Sequence, residues 1–425
     1  MKTMSWWTTA ARTWLTGSLS PFLFTDENEE CLDSRVPGAL GLYVHVPFCR
    51  RICDFCPYCK ELYRPKAAEA YAEALIGEIE MVGQRDAGRV PGQRRAVSSV
   101  YVGGGSPALL AGRMGEVMRA LGRFYEVRDG VGLELHPSDV RPEVLAQLRE
   151  AGVTRVSIGV QSFSPRLASL LGRPAPDPRR LEAALREVPV PTVSMDLIFA
   201  LPGQSVQDVI EDMELAMAHG AHHVAVYPFI DFSFTASRVP AAQRRRKREM
   251  MDAIAAYCAR HGYERDSIWT FARPGGHRYS SMTRDCYLGF GCSAVTLLRD
   301  SFKVNTFSVQ GYVERVREGR MPSCLTLRFS RRQRMLYYLF WRAYGMVVSE
   351  ADFRDFFGVE LAEAFGPELW AACRLGLLVH EPGAYRLTRR GAFYFHRFES
   401  YYTLSYIDKM WGVLRREAFP QELRI

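Results

Sequence analysis

Four cysteines fall within the eleven residues from Cys49 to Cys59, in the run "CRRICDFCPYC", directly after the apolar stretch "LYVHVPF" (Leu42 to Phe48). The chain of 425 residues holds ten cysteines, so this density marks a site rather than background composition. The spacing is C-x3-C-x2-C-x2-C. A structural zinc site draws its ligands as separated pairs that bridge distant segments. A ferredoxin loop runs C-x2-C-x2-C-x3-C-P. Neither spacing is the one present. A third arrangement uses Cys49, Cys53 and Cys56 alone to hold an iron–sulfur cluster, leaving one iron open to a small molecule, as catalytic metals keep one position free. Cys59 as a fourth ligand would close the cluster; as a free or substrate-facing thiol it leaves the cluster open.

The rest of the chain reads as alternating strands and helices. Apolar runs follow at "SSVYVGGG" (Ser98 to Gly105), "VGLELHP" (Val131 to Pro137), "RVSIGVQSF" (Arg155 to Phe163), "TVSMDLIFALP" (Thr192 to Pro202) and "HHVAVYPFI" (His222 to Ile230). Helical periodicity lies between them, with Tyr71, Leu75, Ile76 and Ile79 on one face after Pro65. "SVQDVIEDMELAMAHG" opens on a capping pattern and closes on Gly220. Strand–helix units in series predict an α/β fold with a parallel sheet covered on both faces. No G-x-G-x-x-G follows a strand, so a barrel is expected rather than a dinucleotide-binding sheet. Barrel chemistry sits at the C-terminal strand ends. There the sequence places the cysteines, Gly103 to Gly105, Glu134, His136, Gln161 and Asp196. From about residue 326 the pattern becomes a helix trio and a Gly-containing hairpin, a winged-helix-like domain with an aromatic tail. The expected division is an N-terminal extension (1–40), a barrel with its extension (41–325) and this last domain (326–425).

Lys+Arg is 55 against 47 Asp+Glu, a net +8, gathered in short runs such as "RRRKRE" (Arg244 to Glu249). Such runs are read as solvated helix faces, and nucleic acid is not expected as a partner. No run of about 18 apolar residues is present and no secretory signal is expected, so the chain is read as cytoplasmic, where clustered cysteines favour metal over disulfide.

C-x3-C-x2-C after an apolar strand, with Phe55 before the third cysteine, resembles the radical S-adenosylmethionine (SAM) superfamily. "LYVHVPFC", "VYVGGGSP", "LELHP", "RVSIGVQSF", "MDLIFALPG", "FARPGG" and "YLGFGCSAV" further resemble its HemN-like branch, that of oxygen-independent coproporphyrinogen III dehydrogenase. The likeness implies a partial (β/α)6 radical SAM barrel. It implies a 4Fe–4S cluster on Cys49, Cys53 and Cys56, and two SAM molecules. Tyr43, Gly104, Glu134 and Val295 match positions around the SAM on the iron, with Tyr43 counted beside the cysteines at the catalytic centre. Phe55, Gly105, Ser106, Gln161, Arg173, Asp196 and Ile230 match positions around a second SAM. An electron donor of flavodoxin or ferredoxin type is implied.

The chain departs from the branch at Ser106, where threonine is usual, at "FALP", at His136 and at Cys59, one residue later than the branch's extra cysteine. No R-Y-T-S-Y-P-like segment precedes Leu42, which speaks against coproporphyrinogen as substrate. The two SAM positions, with "RYSSMTRD", "YYTLSYIDKMWG" and "AFP", resemble class C radical SAM methyltransferases, in particular cyclopropanating enzymes of antibiotic biosynthesis. That resemblance implies transfer of a SAM-derived methylene to an sp² carbon of a small aromatic substrate, with a separate methyltransferase as a further partner left open. The branch's alternatives are tetrapyrrole oxidation and anaerobic heme opening by a methyltransferase. The aromatic tail is read either as a cover for a flat substrate or as core.

Overall fold

The computed structural model describes residues 13–17, 20–27, 35–36, 40–86, 90, 92–237, 244–275 and 285–425. Each apolar run named above is a strand. β1 (Leu40–Val46), β2 (Val100–Gly104), β3 (Val131–Leu135), β4 (Val153–Gln161), β5 (Thr192–Phe199) and β6 (His223–Pro228) lie side by side, all parallel. Helices follow in turn: α1 (Pro65–Arg85), α2 (Ala111–Phe124), α3 (Pro142–Glu150), α4 (Pro178–Glu187), α5 (Val206–Ala218) and α6 (Arg244–Arg260). These are the six units of the expected α/β barrel. It is partial because the sheet ends in free edges, Glu264–Arg265 on one side and Glu422–Arg424 on the other.

The local chemistry accounts for these elements. The strands are Val/Ile/Leu-rich and nearly continuously buried: the crossover helices cover the outer face, and side chains of the strands themselves meet on the inner one. On α1, Tyr71, Leu75 and Ile79 are fully buried while Ile76 is only partly so. At α5 the side chain of Ser205 accepts from the Asp208 amide, and the Asp208 carboxylate accepts from the Ser205 amide, a complete capping box.

Beyond β1 the sheet continues with β7 (Cys286–Phe290), again parallel, and then antiparallel strands Val295–Leu297, Ser301–Asn305 and Ser323–Arg328. The last two positions belong to Leu23–Thr25 and Glu422–Arg424, paired antiparallel with Leu23 opposite Arg424. Segments from near both ends of the chain thus finish one sheet. Between them stand helices Arg331–Tyr344, Glu350–Phe357 and Leu361–Arg374, and a three-stranded antiparallel sheet of Val347–Ser349, Ala384–Leu387 and Leu378–Glu381. Helix Arg389–Tyr402 then runs through a π-helical turn, Thr403–Ile407, into helix Asp408–Leu414. Among the described residues no helix is long and apolar enough to cross a membrane.

Candidate cluster and cofactor site

The cysteine loop leaves the C-terminal end of β1 and is pinned at both ends. Glu61 N–H donates to Pro47 O at 2.7 Å and Tyr63 N–H to Cys49 O at 2.9 Å. Phe55 docks against a small apolar cluster of Leu167, Leu171, Ile198, Leu201 and Phe229. Cys49, Cys53 and Cys56 lie within electrostatic range of one another. Burial, then mutual repulsion, pushes the Cys49 thiol up to about 12, and burial raises Cys53. Metal binding reverses this by taking the thiolate form. Cys59 is turned elsewhere: its thiol donates to Phe307 O at 3.2 Å.

β2 approaches this loop through Gly104 and Gly105. Gly104 has φ +118°, and a Cβ there would meet His45 Cε1 at 2.6 Å; one on Gly105 would meet Phe48 O at 2.5 Å and Cys49 Sγ at 2.9 Å. Gly104 therefore serves close packing against His45 and Val46 of β1, and Gly105 packing against Phe48 and Cys49. Their amides are already engaged: Gly104 N–H donates to Glu134, Gly105 N–H to Val46 O, and Ser106 N–H to Phe48 O. A ligand here would meet the surface of this run rather than its engaged N–H groups. Ser106 itself is buried.

Glu134 accepts from Tyr101 Oη at 2.9 Å and from Gly104 N–H at 3.0 Å, and burial raises its pKa. Asp196 accepts from Ser157 Oγ at 2.9 Å; burial, then repulsion from Glu134, pushes it up to about 7. Arg173 is 7 % exposed and its Nε has no hydrogen-bond partner. Burial lowers its pKa, while Cys53, Cys56 and Cys49 favour its charge, so it lies beside the cluster loop rather than on a surface helix. Gln161 ends β4 at φ +69°, and Ala200 and Ser293 follow β5 and β7 at φ +64° and +55°. Left-handed non-glycine residues at three strand ends mark backbone held under strain. Tyr43 hydrogen-bonds His45 Nδ1 at 2.9 Å and stacks on Tyr101. Ile230 and Val295 are partly buried, beyond β6 and β7.

These residues fit the implied cofactors: three cysteines with no competing bond to the fourth, a buried cation with an orphaned donor, and two carboxylates whose neighbours leave accepting capacity. Sequence reading does not single out His45, inside the apolar run of β1, or Cys292, in the turn after β7. Trp411, one of the tail aromatics read as cover or as core, packs at 6.0 Å from Tyr58, 6.4 Å from Phe232 and 6.1 Å from Phe307. A separate cavity of about 790 Å³, lined by Arg35, Arg299, Arg328, Arg331 and Arg334, touches none of the residues above.

The radical SAM superfamily pattern matches residues 43–216. Heme chaperone HemW of Bacillus subtilis is 26 % identical over 370 residues, covering 82 % of this chain and 95 % of that one. The HemW of Mycobacterium tuberculosis is 31 % identical over 290 residues, 59 % of this chain and 72 % of that one. Oxygen-independent coproporphyrinogen III oxidase of Cereibacter sphaeroides is 27 % identical over 350 residues, 76 % of this chain and 75 % of that one. Among solved structures, Escherichia coli coproporphyrinogen III oxidase, HemN, superposes with TM-score 0.74 at 21 % identity, over 91 % of this chain and 98 % of that one, a likeness of fold.

One expectation is corrected by these relatives. The class C methyltransferase reading, with methylene transfer, cyclopropanation and antibiotic biosynthesis, does not hold, because the relatives are named as heme chaperones and coproporphyrinogen oxidases. The physical reason is that Gln161, Arg173 and Asp196 are expected to hold a cofactor, and a cofactor pocket does not select which carbon a radical meets. Of the other signals, residues 278–284 of "RYSSMTRD" lie outside the described residues, and "YYTLSYIDKMWG" forms helix and π-turn packing. The 4Fe–4S cluster and the two SAM molecules stand as the cofactors of the HemN-like branch, and its chemistry needs a reductant.

Proposed function

Because this chain belongs to the radical SAM superfamily, in its HemN-like branch, we propose that it handles a tetrapyrrole of heme type beside a SAM-binding 4Fe–4S cluster. When bound, the cluster and SAM supply a one-electron reduction that releases a 5′-deoxyadenosyl radical. Cys49, Cys53 and Cys56 hold the cluster. Tyr43, Gly104, Glu134 and Val295 line the first SAM; Phe55, Gly105, Ser106, Gln161, Arg173, Asp196 and Ile230 line the second. Arg173 offers a fork of donors to a carboxylate, and Glu134 and Asp196 accept from hydroxyl or ammonium groups. The observation that carries this reading is the orientation of Cys59 toward Phe307 O, which leaves three cysteines beside the unpartnered Nε of Arg173. An aromatic wall of Tyr58, Phe232, Phe234, Phe307 and Trp411 next to the cysteine loop suits a flat macrocycle and excludes water from reactive groups. A flavodoxin- or ferredoxin-type donor supplies the electron.

The heme-chaperone reading is preferred because the match spans 95 % of the Bacillus subtilis HemW. Oxidation of coproporphyrinogen is the second reading, favoured by the Cereibacter sphaeroides oxidase, 27 % identical over 76 % of this chain. Anaerobically reconstituted protein titrated with heme should bind about one equivalent, seen as a shifted Soret band, without consuming it. Consumption of coproporphyrinogen III with release of 5′-deoxyadenosine would establish the second reading. Failure to bind or consume either tetrapyrrole would sink both.

A further inference from the structure

We propose that His45, Cys59 and Cys292 form a second metal site that takes a single ion of zinc type, separate from the cluster cysteines. The three residues come from β1, the end of the cysteine loop and the turn after β7. One ligand atom from each lies within 4.8 Å of the other two, and among the described residues no other trio of His, Cys, Asp or Glu meets so closely. Tetrahedral zinc with Zn–S of about 2.3 Å sets its ligand atoms about 3.8 Å apart, so closure needs only side-chain adjustment. Ligands drawn from distant segments are the pattern of such sites, and the pattern that the four-cysteine run itself lacked.

Burial and charge select the ion. His45, Cys59 and Cys292 are 3 %, 6 % and 0 % exposed. A divalent ion with two thiolates and a neutral imidazole carries no net charge, which burial requires. Two sulfurs and one nitrogen are a soft set that excludes magnesium and calcium.

The surroundings hold the three in place. Gly291, at φ +99°, lets the turn press on β1: a Cβ there would meet His45 O at 2.6 Å and Tyr71 Oη at 2.4 Å. The turn is fastened by Gly291 N–H to Glu78 at 2.6 Å and by Cys292 N–H to Tyr71 Oη at 3.1 Å. The imidazole is oriented by Cys59 O at 3.1 Å on Nε2 and Tyr43 Oη at 2.9 Å on Nδ1. An ion takes one ring nitrogen in place of one of these bonds, and the other bond remains to orient the ring, as metal-bound histidines require. With three protein ligands the fourth position stays open. The ion ties the far end of the cysteine loop to β1 and β7, and through His45 it reaches Tyr43.

The test uses the full chain with its cluster already reconstituted, so that iron sites are filled first. Cobalt(II) chloride is then added, and separately zinc sulfate, followed by desalting and metal analysis. Expected are thiolate-to-cobalt charge-transfer bands, about one cobalt or zinc per chain, and iron unchanged at about four. Cys292→Ala and His45→Gln should each lower zinc retention at least tenfold and keep the iron; Cys53→Ala should lose iron and keep zinc. Absence of thiolate–cobalt bands in the native protein overturns the proposal, and does so whether or not any variant folds. Zinc kept by a Cys59→Ala/Cys292→Ala double variant also overturns it, as does a Cys59–Cys292 disulfide in anaerobically purified protein.

Discussion

The indole of Trp411 lies over the ring of Phe232, centroids 6.4 Å apart and planes 13° apart, while its other neighbours include Tyr58 of the cysteine loop. The same helix fixes both partners by polar bonds. Asp408 accepts from Ser233 N–H at 2.8 Å and Ser233 Oγ at 2.6 Å, and Arg415 donates to Tyr58 O at 2.8 Å. The end of the chain thus clasps the loop that carries the cysteines. Trp411→Ala should destabilise the protein by about 3–5 kcal/mol, the range for losing a large packed aromatic. It should also speed amide exchange in residues 53–60 and increase 5′-deoxyadenosine released without product. Unchanged exchange in that loop would show that the tail packs there without holding it.

Cys59→Ala removes a thiol engaged by Phe307 O, not one of the three that adjoin Arg173. Reconstituted Cys59→Ala should carry about four irons and cleave SAM. Cys53→Ala should lose most iron and all cleavage. Equal iron loss in the two variants would make Cys59 a cluster ligand.

Much of this site is legible in the sequence, and the reason is local. Glu134 and Asp196 stand out as carboxylates inside apolar runs, and each run ends where the barrel strand ends. Ser205 and Asp208 announce the start of α5 within four residues. What stays hidden depends on pairing across the chain. Leu23–Thr25 and Glu422–Arg424 are three-residue strands, too short for any periodicity, and only the finished sheet edge brings them together. His45 and Cys292 meet because β7 runs parallel to β1, a topology that no spacing encodes. The reaction was misread for another reason: the residues with the clearest signal are those expected to bind cofactor, and they carry no information about the substrate.

Asp196 carries a pH signature. Its carboxyl is pushed up to about 7 in the folded chain, first by burial and then by Glu134, whereas an unfolded chain titrates it near about 3.9. Between these values the folded state holds a proton that the unfolded state lacks. The stability from this group is therefore fully present below about 4 and is lost as pH rises through about 7. Asp196→Asn does not titrate. In cluster-free, ligand-free protein its stability relative to native should climb between pH 4.5 and pH 7 and then level off, gaining about 1–3 kcal/mol in all. Denaturant unfolding at pH 4.5, 6 and 8 measures it, and a pH-independent difference would refute the raised carboxyl.

Arg173 separates cluster chemistry from the second SAM. It is a buried cation with an unpartnered Nε; its electrostatic neighbours include the three cysteines and His136, with no carboxylate among them. A buried charge without a partner costs stability that a ligand carboxylate can offset. Arg173→Met keeps the length and apolar stem while removing the charge. The apoprotein should be as stable as native, or more so by about 1 kcal/mol. The cysteines remain, so iron should stay at about four. Equilibrium dialysis against labelled SAM should then find about two molecules on the native chain and about one on the variant, with reductive cleavage of the iron-bound molecule preserved. Two molecules bound with native affinity would remove Arg173 from the second site. Loss of both molecules, with iron intact, would place it at the first.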